Sequence, residues 1–374
     1  MPAAQPASNR RILHTEWSLG WGGQEIRILR EMESFRARGW DMRLACREAS
    51  TISKRAQESG FQVFHLPFKS AFHLPTVFAL ARLVKREGMA LVHTHSSVDG
   101  WVGGMAAKLA GVPMVRSRHL SSPVRRGLNS KIVYDLLPEA VISSGRHIRD
   151  HLIHDGGCHP SRQYSVPAGA DTAVFHPEVP VEGLRASLGF SEDDQIVGIV
   201  AVLRSWKGHE ILLDAFADLA KERPKTKLLI VGEGPQRPAL ERRVKEAGLE
   251  NRVVLTGHRT DVASLMRIMN VCVLPSLKNE ATSQVLPQAM LVGTPVVSSS
   301  AGGLTEVVED GVRGRVVPPA DVPALAAALR AVFDEPEQTA RMAVEARRHA
   351  LSELTFETQI DRTEAVYRKL LHLA

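Results

Sequence analysis

The stretch QIVGIVAVLRSWKGHEILLDAFADLAKERPKTKLLIV, residues 195–231, decides the fold class because it holds a complete strand–helix–strand unit. The β-branched run at 195–203 predicts a strand, and apolar residues recur at helical spacing over 209–221. A second short apolar run at 227–231 predicts the next strand. Two strands joined by a helix pair in parallel through a right-handed crossover. The stretch therefore predicts a parallel sheet covered by helices.

The same alternation fills the chain on both sides of this unit. In the first half we predict strands at 11–14, 40–46, 61–65, 90–94, 113–117, 140–143 and 163–167, with helices at 23–38, 74–87, 98–110 and 145–154. In the second half we predict further strands at 253–255, 271–274, 295–298 and 314–317, further helices at 237–247, 261–268 and 283–292, and three closing helices. The turn-rich segment AGADTAVFHPEVPVEG, 168–183, separates the halves. Two such halves imply a cleft in which the carboxyl ends of both sheets face a shared ligand.

Composition limits the function classes. The 374 residues are 44% hydrophobic and carry 47 basic against 41 acidic side chains, which fits two soluble domains and permits anionic partners without naming one. The three cysteines lie far apart with no CxxC, so we expect neither a disulfide framework nor a thiolate metal site. No window has the apolar length of a membrane span, and residues 1–11 lack the apolar core of a secretory signal. We therefore expect a cytoplasmic protein.

The most informative segment of the second half is LPSLKNEATSQVLPQAMLVGTP, residues 274–295. It predicts a loop carrying Glu280 and a helix beginning near Thr282 and Ser283, whose first amides can bind phosphate or sugar hydroxyls. Glu280 and Gln288 lie about two helical turns apart and can project towards one ligand. The alternative is that Thr282 and Ser283 only cap the helix while Glu280 offsets its dipole.

Two other loops of the second half follow strands. Arg204 and Lys207 lie between a strand and a helix, with Gly208 supplying the turn. Two cations at such a position suit a pyrophosphate, although they could equally be solvated surface charges. The segment TGHRTD, 256–261, could lie along a base or ribose, or form only a turn before a helix.

In the first half, Gly22 and Gly23 lie between the first strand and the first helix, where a glycine backbone can approach a phosphate closely. Their spacing lacks the dinucleotide-binding fingerprint. His93 and His95 share a strand face, but no third metal ligand lies near them in the sequence, so we expect no metal site. His119 follows a strand rich in arginine and could stabilise positive charge through its carbonyl, or be an ordinary loop histidine.

Together these motifs resemble the retaining nucleotide-sugar glycosyltransferases of the GT-B fold, glycosyltransferase family 4 (group 1). The resemblance covers nearly the whole chain and rests on GWGGQE, LVHTHSS, RSRH, VPAGADTAVF, WKGHEILLDAF, LIVGEGP, VLTGHRTDV and NEATSQVLPQAMLVGTPVVSSSAGGLTEVV. It implies an α/β protein of two Rossmann-like doubly wound domains facing a central cleft. The acceptor-binding domain would span residues 1–175 and the nucleotide-sugar-binding domain 176–352. A C-terminal helix within 353–374 would pack back towards the first domain.

The resemblance also implies roles for individual residues. Glu280 would contact donor sugar hydroxyls near the reacting carbon, and Lys207 would bind the pyrophosphate and offset charge on the leaving group. His119 would lie beside the anomeric centre. The remaining contacts would come from the amides of Ala281, Thr282 and Ser283 to sugar or phosphate, from Gly22 and Gly23 to the donor phosphates, and from Gly257, His258 and Arg259 to the base.

Two positions depart from the family pattern. Gln288 stands where the family has a ribose-binding glutamate, and its amide can still hydrogen-bond a hydroxyl. Val202 stands where the family usually has an arginine, and Arg204 would reach the same phosphate from another angle.

The implied activity is sugar transfer, with retention, from a nucleotide-sugar donor to a glycan or lipid-linked acceptor in cell-surface polysaccharide or lipopolysaccharide biosynthesis. It would need no metal or other cofactor, because Lys207, Arg204 and the helix N-terminus neutralise the leaving group. We expect no nucleic-acid partner. Phe68, Lys69 and Phe72 suggest peripheral contact with the inner membrane face. Two alternatives stay open: a GT-B nucleotide-sugar epimerase, and a non-catalytic nucleotide-sugar-binding protein.

Overall fold

The computed structural model describes residues 8–119, 124, 126–278 and 280–374. These form two compact units. The first runs up to Val166 and includes Ile360–Ala374, and the second is Pro167–Gln359. The first division thus precedes the boundary expected at residue 175. The second lies within the last helix, at residue 359, where the sequence suggested a separate segment from residue 353.

The first unit holds a seven-stranded sheet with the order β3-β2-β1-β4-β5-β6-β7, in which every neighbouring pair is parallel. The elements are β1 (Arg11–Glu16), α1 (Gly23–Ala37), β2 (Asp41–Cys46), α2 (Thr51–Glu58), β3 (Gln62–His65), α3 (Leu74–Arg86), β4 (Leu91–Thr94), α4 (Ser97–Ala110), β5 (Met114–Arg118), α5 (Leu128–Lys131), a π-helical turn (Ile132–Leu136), β6 (Ala140–Ser143), α6 (Arg146–His154) and β7 (Gln163–Ser165).

Helices α3 and α4 cover one face of this sheet, where Leu13, Val92 and Met114 join a buried apolar cluster. Gly103 lets α4 approach the sheet closely, because a Cβ at that position would lie 2.6 Å from the Thr94 methyl group. The strands are buried on both faces, which is why they appear in the sequence as continuous apolar runs.

The second unit holds a six-stranded parallel sheet with the order β10-β9-β8-β11-β12-β13. Its elements are α7 (Leu184–Ser187), β8 (Gln195–Val200), α8 (His209–Glu222), β9 (Thr226–Val231), α9 (Arg237–Glu246), β10 (Val253–Gly257), α10 (Val262–Ile268), β11 (Val271–Leu274), α11 (Val285–Val292), β12 (Val296–Ser299), β13 (Arg315–Val317), α12 (Val322–Asp334), α13 (Pro336–Glu353) and the start of α14 (Phe356–Leu370). The 3₁₀ turns Ser205–Lys207 and Gly302–Glu306 follow β8 and β12.

Strand order in each sheet reverses once, between β1 and β4 in the first unit and between β8 and β11 in the second. At such a switch point the loops after two neighbouring strands diverge and leave a crevice at the carboxyl edge. The prediction of two doubly wound α/β domains is confirmed. The crevice is bordered by the loops after β1 and β4 in the first unit and by the loops after β8 and β11 in the second.

Two of the predicted bounds that differ from the structure have a clear local cause. Helix α11 begins at Val285 rather than 283, which places Pro287 third in the helix. Proline lacks an N–H and is tolerated only in a first turn, where that donor would have no helical partner. Strand β8 ends at Val200 rather than 203, because the Arg204 N–H donates to the Val202 carbonyl and turns the chain. Among the described helices, none has both the length and the apolar content needed to cross a bilayer.

Candidate functional site

The second unit brings Lys207 and Glu280 into direct contact. Lys207 Nζ donates to Glu280 Oε1 at 2.6 Å, and Ser276 Oγ donates to the same oxygen at 2.7 Å. Lys207 lies after β8 and Glu280 after β11, and these strands are neighbours at the switch point. The side chain of Glu280 is only 7% exposed, whereas that of Lys207 is 21% exposed. The pair therefore presents its ammonium to solvent and keeps its carboxylate covered.

Two close backbone contacts hold together the loops that carry Lys207 and Glu280. Gly208 has φ +76°, and a Cβ there would lie 2.0 Å from the Pro275 carbonyl oxygen. The Leu277 N–H donates to the Trp206 carbonyl at 2.8 Å. The loop after β8 is thus fixed against the loop after β11, and Gly208 is required both for its φ and for this contact.

A third loop supports Glu280 from the other side. The Gly303 N–H donates to the Glu280 carbonyl at 3.0 Å. Gly302 has φ +56°, and a Cβ there would lie 2.1 Å from the same oxygen. Ser299 Oγ donates to the Ser276 carbonyl and ties β12 to the loop that holds Glu280. Ser276, Gly302 and Gly303 were missed by spacing arguments, although the paired glycines after a predicted strand were a visible signal.

Arg204 is the other cation that the sequence predicted for phosphate binding. Arg204 is exposed and stacks over the Trp206 ring, with 5.0 Å from its guanidinium carbon to the ring centroid. Val202 is also exposed, and its apolar side chain supplies no cation at that position. Asn279 lies outside the described residues.

The predicted helix N-terminus is wrong in detail. Ala281, Thr282 and Ser283 lie in the loop before α11, and Thr282 is buried. Ser283 Oγ accepts the Val285 N–H at 3.3 Å, but the N-cap residue of α11 is Gln284 and not Thr282 or Ser283. Gln288 lies half-buried on α11.

In the segment predicted to bind the base, Arg259 pairs with a carboxylate of the same turn. Arg259 donates to both carboxylate oxygens of Asp261, at 2.8 and 2.6 Å. Gly257 has φ +75° and its carbonyl accepts the Gly232 N–H at 2.9 Å, while His258 is exposed. His258 turns its side chain to solvent, whereas Arg259 would have to leave Asp261 to reach a ligand.

In the first unit, three histidines form a chain across the carboxyl ends of neighbouring strands. His14 Nδ1 lies 2.8 Å from His95 Nε2, and His95 Nδ1 lies 3.3 Å from His119 Nε2. The rings of His14 and His95 are stacked, as are those of His95 and His119. His93 lies beside these three histidines. Its Nε2 is hydrogen-bonded to Ser117 Oγ at 2.8 Å, and its Nδ1 to Tyr367 Oη at 2.5 Å.

Burial decides the protonation of this cluster. It lowers the pKa of His14 to about 3, and it lowers the pKa values of His93, His95 and His119 well below the ordinary value. All four imidazoles are therefore neutral near pH 7. His14 Nε2 is buried and has no hydrogen-bond partner within the described part of the chain. Because an orphaned N–H costs more than an unused lone pair, the proton belongs on His14 Nδ1.

The tautomer of His14 fixes the tautomers of His95 and His119. His14 donates to His95, and His95 in turn donates from Nδ1 to His119 Nε2, which leaves the His119 proton on Nδ1. His14 was missed because it lies about eighty residues from its partners. It also supplies the third imidazole that the sequence lacked beside His93 and His95, with ligand nitrogens within 4.8 Å of one another. Hydrogen bonds within the cluster and to Ser117 and Tyr367 already engage those rings.

The glycine loop of the first unit opens α1. The Gly22 N–H donates to Glu25 Oε2 at 2.8 Å, and a Cβ on Gly23 would meet no atom within 4 Å. Behind the loop, Glu16 is buried and accepts hydrogen bonds from Gln24 and Ser96. Burial, with the charge of Asp99, raises the pKa of Glu16 to about 7. Glu16 is a site group that the sequence alone did not indicate.

Both units match families of known proteins. Residues 181–349 match the family described as Glycosyl transferases group 1, and residues 21–174 match Glycosyltransferase Family 4. The alpha-D-kanosaminyltransferase of Streptomyces kanamyceticus is 31% identical over 77% of this chain and 79% of its own length. The D-inositol 3-phosphate glycosyltransferase of Xylanimonas cellulosilytica is 28% identical over 87% of each chain.

Solved structures agree at the level of the fold. A glycosyltransferase from Rickettsia africae superposes with a TM-score of 0.88 at 18% identity, covering 97% of this chain and 99% of its own. Anabaena HepE in complex with UDP and glucose gives 0.81 at 24% identity, covering 96% and 100%. The chain therefore belongs to the group 1 glycosyl transferases of glycosyltransferase family 4 and has their two-domain α/β GT-B fold.

Proposed function

We propose that this glycosyltransferase moves a sugar from a nucleotide-sugar donor to a glycan or lipid-linked acceptor, with retention of anomeric configuration and without a metal. The observation that carries the proposal is the Lys207–Glu280 pair at the switch point of the second unit. It joins a partly exposed cation to a buried carboxylate at the sheet edge where α/β proteins bind ligands.

The pair suits a sugar diphosphate. An ammonium group has three N–H donors, and Lys207 uses one on Glu280, so two can serve phosphate oxygens. As the bond between sugar and diphosphate breaks, negative charge builds on the leaving phosphate, and a fixed cation stabilises it. Glu280 Oε1 accepts from Lys207 and Ser276, so Oε2 is the oxygen that would accept from sugar hydroxyls near the reacting carbon.

The first unit would then bind the acceptor, with His119 beside the anomeric centre. Hydrogen bonds from His14 through His95 orient the His119 ring, and burial keeps the imidazole neutral by lowering its pKa. A neutral imidazole adds no positive charge where an oxocarbenium-like centre develops. The backbone carbonyl of His119 can face that centre. Gly22 and Gly23 would admit the donor phosphates at the start of α1.

A panel of UDP-, GDP-, ADP- and TDP-sugars tests donor binding. A donor that binds the folded protein raises its melting temperature. Each hit is then incubated with acceptor pools, and the anomeric configuration of the product is read by NMR. Activity that survives chelator dialysis supports metal independence. An inverted product or an absolute metal requirement would contradict those parts of the proposal.

The two alternatives differ in their products. An epimerase would convert the donor into an epimer without an acceptor, and a binding protein would bind nucleotide without any transfer. Gln288 and Val202 are the positions that keep the second alternative open, because both replace charged residues of the family pattern. The product assay separates the three outcomes.

We place the activity in cell-surface polysaccharide or lipopolysaccharide synthesis on the inner membrane face. In support, the exposed side chains of Leu74, Phe78 and Arg82 follow one another at four-residue spacing on α3, and Phe72 and Lys69 precede them. Phe68, which we expected to face lipid, is buried and belongs to the core instead.

Sedimentation with vesicles of anionic lipid tests this surface. Phe78→Glu should release the protein from the vesicles, whereas Leu351→Glu, an exposed apolar position in the second unit, should not. Equal binding by both variants would contradict the membrane placement.

A further inference from the structure

A cavity of about 560 Å³ lies in the second unit, at the edge of the sheet opposite to Lys207 and Glu280. Gln195, Asn270 and Pro295 line it, and they lie at or directly before the first residues of β8, β11 and β12. The loops that carry Lys207 and Glu280 follow the other ends of β8 and β11. A ligand in this cavity would therefore be separate from a donor at the switch point. The volume lies within about 300–1,000 Å³, the range of small-molecule pockets.

One wall of the cavity is an apolar face of α13. Ala340, Ala343 and Val344 line the cavity at helical spacing, and Val344 is 68% exposed. Met269 and Val332 line it as well and are buried. The side chains of α13 that pack into the core form a neighbouring stripe: Met342, Ala346 and Ala350. The cavity thus offers apolar surface that the core of the unit does not use.

Two arginines line the same cavity, and each is tethered by a single nitrogen. Arg267 Nε donates to the Pro177 carbonyl at 2.9 Å, and Arg347 Nε donates to the Leu291 carbonyl at 3.1 Å. Within the described ranges of the chain, the Nη1 and Nη2 atoms of these two arginines make no hydrogen bond or ion pair. The two Nη groups of a guanidinium form a fork that matches the paired oxygens of a carboxylate or phosphate.

Other arginines of α13 do have carboxylate partners. Arg348 pairs with Glu345 at 2.8 Å, and Arg341 pairs with Glu337 at 4.0 Å. Arg347 has no such partner, and the described residues that line the cavity include no aspartate or glutamate. A surface arginine by itself is well hydrated, but here the two guanidinium groups adjoin an apolar wall that water solvates poorly. The cavity therefore suits a ligand that is both anionic and apolar.

We propose that this cavity binds a small amphipathic anion, whose carboxylate or phosphate pairs with Arg267 and Arg347 and whose apolar body lies against Val344 and its neighbours. Burial of the apolar body supplies the free energy that an exposed ion pair alone lacks. The site and the Lys207–Glu280 pair lie at opposite edges of one sheet, so both can be occupied at once. This inference goes beyond the proposed transfer reaction and does not depend on it.

Isothermal titration calorimetry of the full chain tests the site with octanoate, octyl phosphate, octanol, acetate and inorganic phosphate. At least one octyl anion should bind at least about tenfold more tightly than octanol, because only an anion pairs with a guanidinium group. It should exceed acetate or inorganic phosphate by at least as much, because those bury no apolar chain. The tighter octyl anion identifies the head group. Absence of binding by both, or equal binding by octanol or by the small anion with the same head group, would overturn the proposal.

Variants assign the binding to the cavity. Arg347→Gln should weaken binding about tenfold, the scale of a charged hydrogen bond. Arg348→Gln, which removes the next arginine in the chain, is the matched control and should bind as the wild type does. Val344→Glu places a carboxylate on the apolar wall and should abolish binding. None of these three side chains is buried, so the variants should fold. Equal affinity in Arg347→Gln and Arg348→Gln would overturn the proposal.

Hydrogen exchange of the wild-type protein locates the ligand independently of any substitution. The tighter octyl anion should slow exchange in peptides covering α13 and the start of β11. Unchanged exchange in those peptides would overturn the site. Sedimentation tests whether a second copy of the chain covers the cavity instead. A dimer that dissociates in Val344→Glu would show that it does, and would overturn the proposal.

Competition with UDP separates this inference from the proposed function. UDP should bind equally well with and without a saturating octyl anion, and loss of UDP binding would show that the anion occupies the donor site, which overturns the inference. Binding of UDP without any binding of an octyl anion contradicts the inference alone. Binding of an octyl anion without any binding of nucleotides contradicts the proposed function alone.

Discussion

Lys207 Nζ and Glu280 Oε1 lie 2.6 Å apart although 73 residues separate them in the chain. The contact exists because β8 and β11 are neighbours in the sheet and their following loops share the crevice at its edge. A partly exposed ammonium on a covered carboxylate is oriented before any ligand arrives, so binding a diphosphate would require little rearrangement.

Removing this cation should slow transfer more than it weakens folding. Lys207→Ala should lose about 2–4 kcal/mol of transition-state stabilisation, the scale of one oxyanion-hole donor. Turnover with the identified donor measures the loss, and the melting temperature reports folding. Lys225→Ala, which removes an exposed lysine paired with Asp193, is the control. Wild-type turnover in Lys207→Ala would exclude the residue from the mechanism.

Gly302 should prove indispensable for the position of Glu280. Gly302→Ala adds strain at φ +56° and drives a methyl group into the Glu280 carbonyl. Gly311→Ala carries the same type of backbone strain, at φ +71°, but its Cβ meets nothing within 4 Å. The control should lose only about 1–2 kcal/mol of unfolding free energy, the cost of a left-handed residue with a side chain. Gly302→Ala should lose more and should also lose activity; equal losses would refute the close contact.

Glu16 should make stability depend on pH. Because burial raises its folded pKa to about 7 from an ordinary 4.5, the folded protein binds more protons than the unfolded chain between these values. Its stabilising contribution is therefore complete below the unfolded pKa and is lost as the pH rises through about 7.

Glu16→Gln removes this titration. In urea unfolding, its stability relative to the wild type should increase from about pH 5 to about pH 8. The buried histidines act in the opposite direction, since their lowered pKa values favour the folded state at higher pH, but they are common to both proteins. A stability difference that does not change with pH would contradict the raised pKa.

His95 should act on turnover by holding His119. His95→Leu removes the donor to His119 Nε2 and should lower kcat about 5- to 10-fold, the worth of about one hydrogen bond. His95→Asn offers an amide N–H in its place and should recover part of that loss. Identical kcat values for the two variants would show that packing, rather than this hydrogen bond, is what His95 provides.

Most of the regular structure was predictable because buried parallel strands and amphipathic helices leave strong periodic signals. The strand at 140–143 and the strand at 271–274 match their predicted bounds residue for residue. Helix α2 was missed, since its eight residues are mostly polar and Ser50 was the main signal of its start. Pro287 itself indicates the later start of α11, because a proline without an N–H fits only the first turn of a helix.

The sequence by itself determined two α/β halves and marked Lys207, Glu280 and His119 as chemical groups at strand ends, because periodicity and loop position are local properties. The doubly wound arrangement of each half came from the resemblance to family 4. Only the tertiary structure decided the partners of those groups. Ser276 and Gly303 hold Glu280, and His14 and His95 orient His119. Those contacts join residues far apart in the chain, and strand order, which no local pattern encodes, is what brings them within bonding distance.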